Sequence, residues 1–530
     1  MMKFAPFLCL AIAALIGCST LPPVEPSGVP ERFYRALDSL KSQEDGTGFE
    51  RPIQEEWKEP VVLSVGLSGC LELAQENNFD LLLEELDSEL AQARAIQAGA
   101  STDTRIEAGL SVEREETLID SRFANDDRDE NKTTRQNADV SLIQPFETGT
   151  TVTLRHSLRR ITTNNPFNTF EWASGISLAV EQRLLDGFGF ASGSADRLIA
   201  EGEMQASHFD LRARRQTVNF SVANAYWDLV LAWEDLRVLQ RQRGVDQARV
   251  DRETRREAEG LATRLDVLRA ESTLATRERE IIKAEYETYK RSDALLKAIS
   301  PDSLHGYQRI RGYRLEIRPR EAFTEEAPEW TPIDVVGEVR RALVQRDELK
   351  AAIKRLENTG LRVKQREQDV LPDLNLQLSG ELGGNGDDYG RALDSILDND
   401  NSTLFAGLTF IIPLQNSADR AAQRIAEVEQ ERAVLNAREV EIDIIIEVVD
   451  AIRQIESGVK GVSAAKKARD LSQREYEAEV NRQDNGLGTS FEVDQAESDF
   501  VAAERDLIAA RVVHELAKLA LARATATMAE

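Results

Sequence analysis

The sequence contains few of the residues that build metal centres, disulfide frameworks and aromatic cores. Its 530 residues include three cysteines, four histidines and four methionines, and aromatic residues make up 6% of the total. No pair of cysteines has the spacing of a zinc or redox motif, so we expect neither a disulfide framework nor a structural zinc site. The histidines are widely scattered, and the sequence has no catalytic triad, phosphate-binding loop or zinc-protease motif. We therefore expect no enzyme activity, no cofactor and no bound metal.

The sequence also lacks a basic excess and, beyond its N-terminus, long apolar segments. Its formal net charge is -27, whereas binding to nucleic acid requires a basic surface. Nucleic acid is therefore excluded as a partner. The acidic excess indicates either a soluble exterior or an interior surface that favours cations. No apolar run long enough for a spanning helix follows the N-terminal segment, although alternating transmembrane strands would escape a hydropathy window.

The N-terminus has the pattern of a bacterial lipoprotein signal. Lys3 precedes an apolar stretch, Phe4 to Ile16, of signal-peptide length. This stretch ends in Leu15-Ile16-Gly17-Cys18, which resembles the lipobox. The resemblance implies that residues 1–17 are removed, that Cys18 carries lipid, and that Ser19 favours the outer membrane. Residues 18–61 would then be a lipid-anchored tether. The alternative is an ordinary secretory signal with an incidental cysteine.

One short sequence occurs twice at a constant offset. The first copy runs from Gly260 to Val267, and the second runs from Gly486 to Val493. Each copy interrupts a long helical pattern at a glycine, which adopts turn conformations at no steric cost, and a threonine that can cap the next helix follows. We predict that both copies are tips of helical hairpins and that the chain is a tandem duplication.

The periodicity of the apolar residues divides the chain into two repeats joined by a linker. Repeat one, 62–299, predicts a helix, several strands and a long hairpin, and repeat two, 337–530, predicts the same order. Residues 300–336 contain four prolines and are predicted to be an equatorial linker. The predicted helices are 62–98, 194–258, 261–299, 333–370, 417–484 and a closing helix to 527. The predicted strands begin near Ile106, Val140, Val152, Phe170, Leu374 and Leu404, with an acidic loop at 120–137.

The predicted strands alternate apolar and polar residues, as strands in contact with lipid on one face do. Unpaired backbone groups are too costly in lipid for an open sheet to span a membrane. Four to six strands do not close a barrel, since known single-chain barrels begin at about eight. If the strands lie in lipid, several copies of the chain must therefore share one barrel.

The order of helix, strands and long hairpin, found twice, resembles the TolC-like outer membrane factor family. The resemblance is carried by this order, by the two glycine tips, and by strand ends such as Gln182 to Gly187 and Ile412-Pro413-Leu414. It implies a membrane α+β fold in which a homotrimer shares a twelve-stranded transmembrane β-barrel, continued by a long periplasmic α-helical coiled-coil barrel. It also implies a passive exit duct of a tripartite efflux or type I secretion system, with a periplasmic adaptor and an inner-membrane transporter as partners.

The resemblance also suggests site residues. The family closes its periplasmic end with acidic side chains of the second hairpin, which by position correspond to Glu492 and Gln495, with Asp494 and Glu497 beside them. A ring of carboxylates in a narrow aperture would attract cations. The alternative for Glu492 is a solvated helix-turn residue. The adaptor would dock on the tips, at Gly260, Leu261, Thr263, Leu265, Gly486, Leu487, Gly488, Thr489 and Phe491.

Two questions remain open from the sequence. Repeat one contains an additional hairpin, near residues 139–158, that the resemblance does not explain. This hairpin either lengthens the part outside the membrane or adds strands to the barrel. A second class of function, a structural coiled-coil envelope lipoprotein without a pore, also accommodates the helices, but such a spacer does not need alternating strands.

Overall fold

The computed structural model describes residues 61–118, 130–163, 171–189, 193–299, 315–320, 328–397 and 401–528. The chain divides into two units, and the elements described below lie almost entirely in the unit formed by residues 62–306 and 316–530. The predicted signal peptide, the lipidation site Cys18 and most of the tether and linker lie outside the described residues.

The first half of the chain carries a short strand, a pair of helices, four long strands and a helical hairpin. The elements are β1 (Val61–Val65), α1 (Leu67–Asn77), α2 (Phe79–Gly99), β2 (Arg105–Leu118), β3 (Glu130–Pro145), β4 (Thr150–Thr163), β5 (Trp172–Arg183), α3 (Ala195–Ala258) and α4 (Arg264–Ile299).

The second half has the same order with two long strands instead of four. Its elements are β6 (Leu315–Pro319), α5 (Val335–Gln345), α6 (Asp347–Asp369), β7 (Asp373–Gly386), α7 (Tyr389–Leu397), β8 (Asn401–Ile411), α8 (Ser417–Asp484) and α9 (Ser490–Ala524). Helix α7 lies in the connection between β7 and β8.

The long helices form where the sequence predicts them. Helix α3 has 64 residues and α8 has 68, so each is about 100 Å long at about 1.5 Å per residue. Apolar residues spaced alternately three and four positions apart form a coiled-coil seam on α3, and this seam is buried, including Val222, Leu229 and Leu239. The hairpin partners α4 and α9 cover only the tip-side half of α3 and α8, and the shorter helices α2 and α6 pack along the rest.

The two shorter helical segments are broken, which corrects the sequence prediction of one helix over 62–98 and one over 333–370. Residues 61–65 are a strand instead, and β1 pairs with β6, which lies inside the predicted linker. Asn78 separates α1 from α2 and donates its amide to the carbonyl of Ala298 at 2.6 Å. Arg346 separates α5 from α6, and its guanidinium lies 3.4 Å from the carbonyl of Ala524. At each break, a side chain therefore donates a hydrogen bond to an otherwise unpaired carbonyl in the last turn of a hairpin helix. The spacing of apolar residues within one segment does not predict such a contact.

The six long strands form one antiparallel sheet in the order β2-β3-β4-β5-β7-β8. Because side chains alternate between the faces of a sheet, the register places apolar residues together on one face. One such row pairs Ile106 with Leu142, Leu142 with Leu154, and Leu154 with Leu178. The opposite face carries polar rows such as Glu107, Ser141, Arg155 and Ser177.

The additional hairpin is real and belongs to this sheet. Strands β3 and β4 lie between β2 and β5, so the hairpin adds strands to the sheet. The acidic loop predicted over 120–137 is partly wrong, because residues 130–137 are in β3, and residues 119–129 lie outside the described residues. Among the described helices, none is both long enough and apolar enough to cross a membrane.

Candidate functional site at the tips of the helical hairpins

The two hairpin tips have the same backbone geometry. Gly260 and Gly486 end α3 and α8 with φ of 74° and 73°, in the left-handed region that favours glycine. The amide of Leu261 donates to the carbonyl of Arg256 at 2.8 Å, and the amide of Leu487 donates to the carbonyl of Arg482 at 2.8 Å. These bonds close each long helix with a Schellman motif.

Each following helix begins with a capping box, which confirms the caps predicted at Thr263 and Thr489. The carboxylate of Glu492 accepts the amide of Thr489 at 2.8 Å and its hydroxyl at 3.0 Å. Asp266 makes the same bonds to Thr263, at 2.9 and 2.6 Å. In both cases hydrogen bonds from the threonine hold the pKa of the carboxyl below its usual range. Glu492 is therefore an ionised cap residue on the tip surface.

Both tips present apolar side chains to solvent. Leu261 and Leu487 follow the glycines and are 67% and 75% exposed, and Leu265 and Phe491 in the next turn are 55% and 65% exposed. The Schellman motifs and capping boxes pair the backbone polar groups of the tips, so these apolar side chains form much of the exposed tip surface. Each tip thus carries a matched pair of uncovered apolar residues.

One turn beyond the second tip, Asp494 and Glu497 of α9 are drawn into a buried ion cluster with α3. Arg249 of α3 is 4% exposed, and its guanidinium pairs with Asp494 and lies 2.8 Å from the carboxylate of Glu497. It also donates to the carbonyl of Ser490 at 3.2 Å. We define the buried ion cluster as Asp246, Arg249, Arg277, Asp494 and Glu497.

The cluster holds more carboxylates than guanidiniums. Asp246 of α3 is paired with Arg277 of α4, with a nitrogen–oxygen distance of 3.2 Å, which leaves Arg249 to serve both Asp494 and Glu497. Burial, reinforced by Asp246, raises the pKa of Glu497 to about 8, and burial also raises the pKa of Asp494. A buried carboxylate that shares its counter-charge with a second carboxylate favours the neutral form, so Glu497 gains a proton at a higher pH than an exposed glutamate does.

The structure separates the four predicted gate residues into two groups. Glu492 and Gln495 are exposed, and Gln495 donates to Asp499 on its own helix at 3.0 Å. Asp494 and Glu497 instead face α3 across the interface between the hairpins. Within the described part of the chain, no group of three or more His, Cys, Asp or Glu side chains is arranged to hold a metal ion.

Sequence reasoning missed the α3 and α8 side of this site. Gln242 of α3 donates to Glu497, and the ring of Tyr476 of α8 stacks on Phe500 of α9 with centroids 6.1 Å apart. Burial raises the pKa of the Tyr476 hydroxyl. The available signal was polar residues at apolar seam positions: Gln242, Asp246, Arg249 and Glu253 continue the spacing of Leu236 and Leu239 and are all buried.

Comparison with known proteins assigns this architecture to a family. A sequence profile described as outer membrane efflux protein matches residues 70–300 and 339–527. The pyoverdine export outer membrane protein OpmQ of Pseudomonas putida is 24% identical over 419 residues, which cover 79% of this chain and 75% of that protein.

Solved structures share the fold at low sequence identity. VceC of Vibrio cholerae has a TM-score of 0.60 at 20% identity and covers 87% of this chain and 95% of its own. The CmeC outer membrane channel of Campylobacter jejuni has a TM-score of 0.62 at 16% identity, with coverages of 87% and 85%. Because the profile match spans well over half of the chain, this protein belongs to the outer membrane efflux protein family, the TolC-like outer membrane factors, and its location is the outer membrane.

Proposed function

We propose that this protein is the exit duct of a tripartite export system, through which substrates pass passively across the periplasm and the outer membrane. The observation that carries the proposal is the combination, in one chain, of a sheet with a single apolar face and two hairpins of about 100 Å. The sheet suits lipid, and the hairpins suit a periplasmic crossing. A coiled-coil spacer would need the long hairpins but would not need a sheet with one apolar face.

The proposed assembly is a homotrimer. Strands β2 and β8 end the sheet as the structure describes it, so each has one row of unpaired backbone groups. In lipid these groups must be paired, and β2 of one copy can pair with β8 of the next. The same symmetry would place three pairs of hairpins side by side as a helical tunnel, and lipid on Cys18 would anchor each copy.

The proposed docking site for a periplasmic adaptor is the pair of tips. Leu261, Leu265, Leu487 and Phe491 are the exposed apolar side chains that an adaptor would cover. An inner-membrane transporter would supply the energy. The Pseudomonas putida relative is a pyoverdine export protein, which supports export of a small molecule by this chain in preference to a secreted polypeptide.

The proposed periplasmic gate consists of two parts. The exposed carboxylate of Glu492, present three times in a trimer, and the neighbouring Gln495 would line the aperture and favour cations. The buried ion cluster would hold α9 against α3 and keep the aperture narrow. Opening then requires Asp494 and Glu497 to leave Arg249.

Reconstitution of the purified, lipidated protein into planar bilayers tests the proposal. We expect discrete channels of low open probability, and we expect a chromosomal deletion to make cells retain the cargo of the partner transporter. Absence of channels from a protein that is correctly assembled by size would instead support the structural spacer.

A further inference from the structure

The additional hairpin, β3 and β4, has the dimensions of a membrane wall. Strands β3 and β4 have 16 and 14 residues, against 14 for β2 and 12 for β5, and a transmembrane strand needs about 9–11 residues. The hairpin is paired to β2 from Arg105 to Leu118 and to β5 from Trp172 to Gln182. It is therefore a full-length insertion within the sheet.

The turn of this hairpin is fastened to the junction between the sheet and the long helices. Glu147 forms an ion pair with Arg197 of α3 at 2.7 Å. The amide of Gly189 donates to the carbonyl of Thr148 at 3.1 Å. Gly193 has no room for a side chain, because a Cβ atom there would lie 1.8 Å from the carbonyl oxygen of Glu147. These contacts hold the turn at the helical end of the sheet.

The two faces of the hairpin differ as the faces of a membrane wall must. On the face shared with Leu178, the hairpin carries Ala138, Val140 and Leu142 on β3 and Val152, Leu154 and Leu158 on β4. His156 interrupts this apolar band, and its Nδ1 atom lies 3.1 Å from the carbonyl oxygen of Gly175.

The opposite face of the hairpin carries paired charges. Arg155 lies 3.2 Å from Asp139, and Arg135 lies 2.6 Å from Glu115 of β2. Arg159 donates to the side chain of Asn137 at 3.2 Å. Such pairs suit a water-filled lumen, since their charges would be costly in lipid. The hairpin thus has one lipid side and one water side.

We infer that this hairpin is part of the barrel wall and that three copies of the chain, each contributing six strands, close an eighteen-stranded barrel. The inference rests on the proposed trimeric duct. With strands about 4.8 Å apart and tilted by about 40°, eighteen strands give a backbone diameter of ~36 Å, against ~24 Å for twelve. The cross-section of the barrel is therefore about twofold larger, and cargo bulkier than a twelve-stranded wall admits can pass the outer membrane.

The partner at both sheet edges is a second copy of this chain. Strand β2 begins and β8 ends at the helical end of the sheet, so β2 and β8 of neighbouring copies run antiparallel, as in the rest of the sheet. Both edges also continue the apolar band, with Leu110 of β2 and Leu404 of β8 exposed by 73% and 92%. The two edges match each other in direction and in the face they present.

Labelling of single cysteines in intact envelopes with a membrane-impermeant thiol reagent tests the placement of the hairpin. Leu154→Cys on the apolar face and Ser157→Cys on the polar face of β4 form the test pair, because neither residue is buried within the chain. Leu378→Cys and Ser379→Cys on β7 form the control pair. The native Cys70 is fully buried, which keeps background labelling low. We expect the apolar-face cysteine of each pair to label at least about tenfold more slowly, because lipid excludes the reagent.

Equal labelling at 154 and 157, with the contrast preserved at 378 and 379, would place the hairpin in water and overturn the inference while leaving the duct intact. Electron cryomicroscopy of the unmodified protein in nanodiscs provides an independent readout that needs no variant. Eighteen strands with three-fold symmetry are expected. Twelve strands, whether from three copies without the hairpin or from two copies with it, would refute the inference, and an absent barrel would refute the duct as well.

Discussion

Replacing Arg249 with methionine removes the positive charge from the buried ion cluster and keeps an unbranched side chain. Asp494 and Glu497 then remain buried without their guanidinium, and breaking a buried pair costs about 3–5 kcal/mol. Because Glu497 can stay protonated, we expect the lower end, about 3 kcal/mol, to be lost from the contact between α3 and α9. At tenfold per 1.4 kcal/mol, the separated state becomes about 100-fold more populated.

The assay is single-channel recording of the proposed trimer in planar bilayers, with open probability as the measured quantity. Arg241→Met is the matched control, because Arg241 also joins α3 to α9, through Glu504 at 2.9 Å, but is 60% exposed. An exposed pair of this kind contributes at most about 1 kcal/mol. Equal effects of the two variants, or an unchanged open probability in Arg249→Met at unchanged oligomeric size, would show that the cluster does not hold the tip closed.

Four further predictions concern single positions. Folded Glu497 has a pKa of about 8 against an ordinary 4.5, so it binds more protons than the unfolded chain between these values. Thermal stability should therefore fall as pH rises through that window, and Glu497→Gln should remove most of this fall. Glu492→Gln keeps an acceptor for Thr489 but removes the charge, so it should lower cation selectivity in reversal-potential measurements. The melting temperature should fall only slightly, because the capping bonds remain but are no longer charge-assisted; unchanged selectivity would remove Glu492 from the gate. Gly486→Ala forces a side chain into the left-handed region and should cost about 1–2 kcal/mol in thermal unfolding, whereas Gly461→Ala within α8 should be neutral or stabilising. Cys18→Ser should abolish labelling with radioactive palmitate, and persistent labelling would exclude the lipobox.

The features that could be predicted from the sequence are those that local chemistry determines. The glycine and threonine of each tip specify a turn and a cap within eight residues, and the tip-side ends of α3, α4 and α8 follow from them. The six strands were recognisable because one face of each is apolar. These signals need no knowledge of distant residues.

The features that could not be predicted depend on partners far along the chain. Asn78 and Arg346, which stand at the two helix breaks, reach carbonyls of α4 and α9 that lie more than 170 positions away. The buried ion cluster joins Arg249 to Glu497 across 248 positions. Strand β1 forms because β6 pairs with it. The spacing of apolar residues describes one segment at a time and does not indicate which distant segments pair with each other.

The joints at Asn78 and Arg346 have a mechanical consequence. Beside these two residues, α3 and α8 continue without interruption. Asn78 instead separates α1 from α2, and Arg346 separates α5 from α6. The ring of Phe220 on α3 lies 5.4 Å from the guanidinium carbon of Arg523 on α9, which places the two joints at a similar height. If α3 and α8 bend at this level, the tip-side halves of both hairpins would move as rigid bodies relative to the sheet. Bending at the joints would therefore transmit less force to the sheet than bending of a continuous helix would.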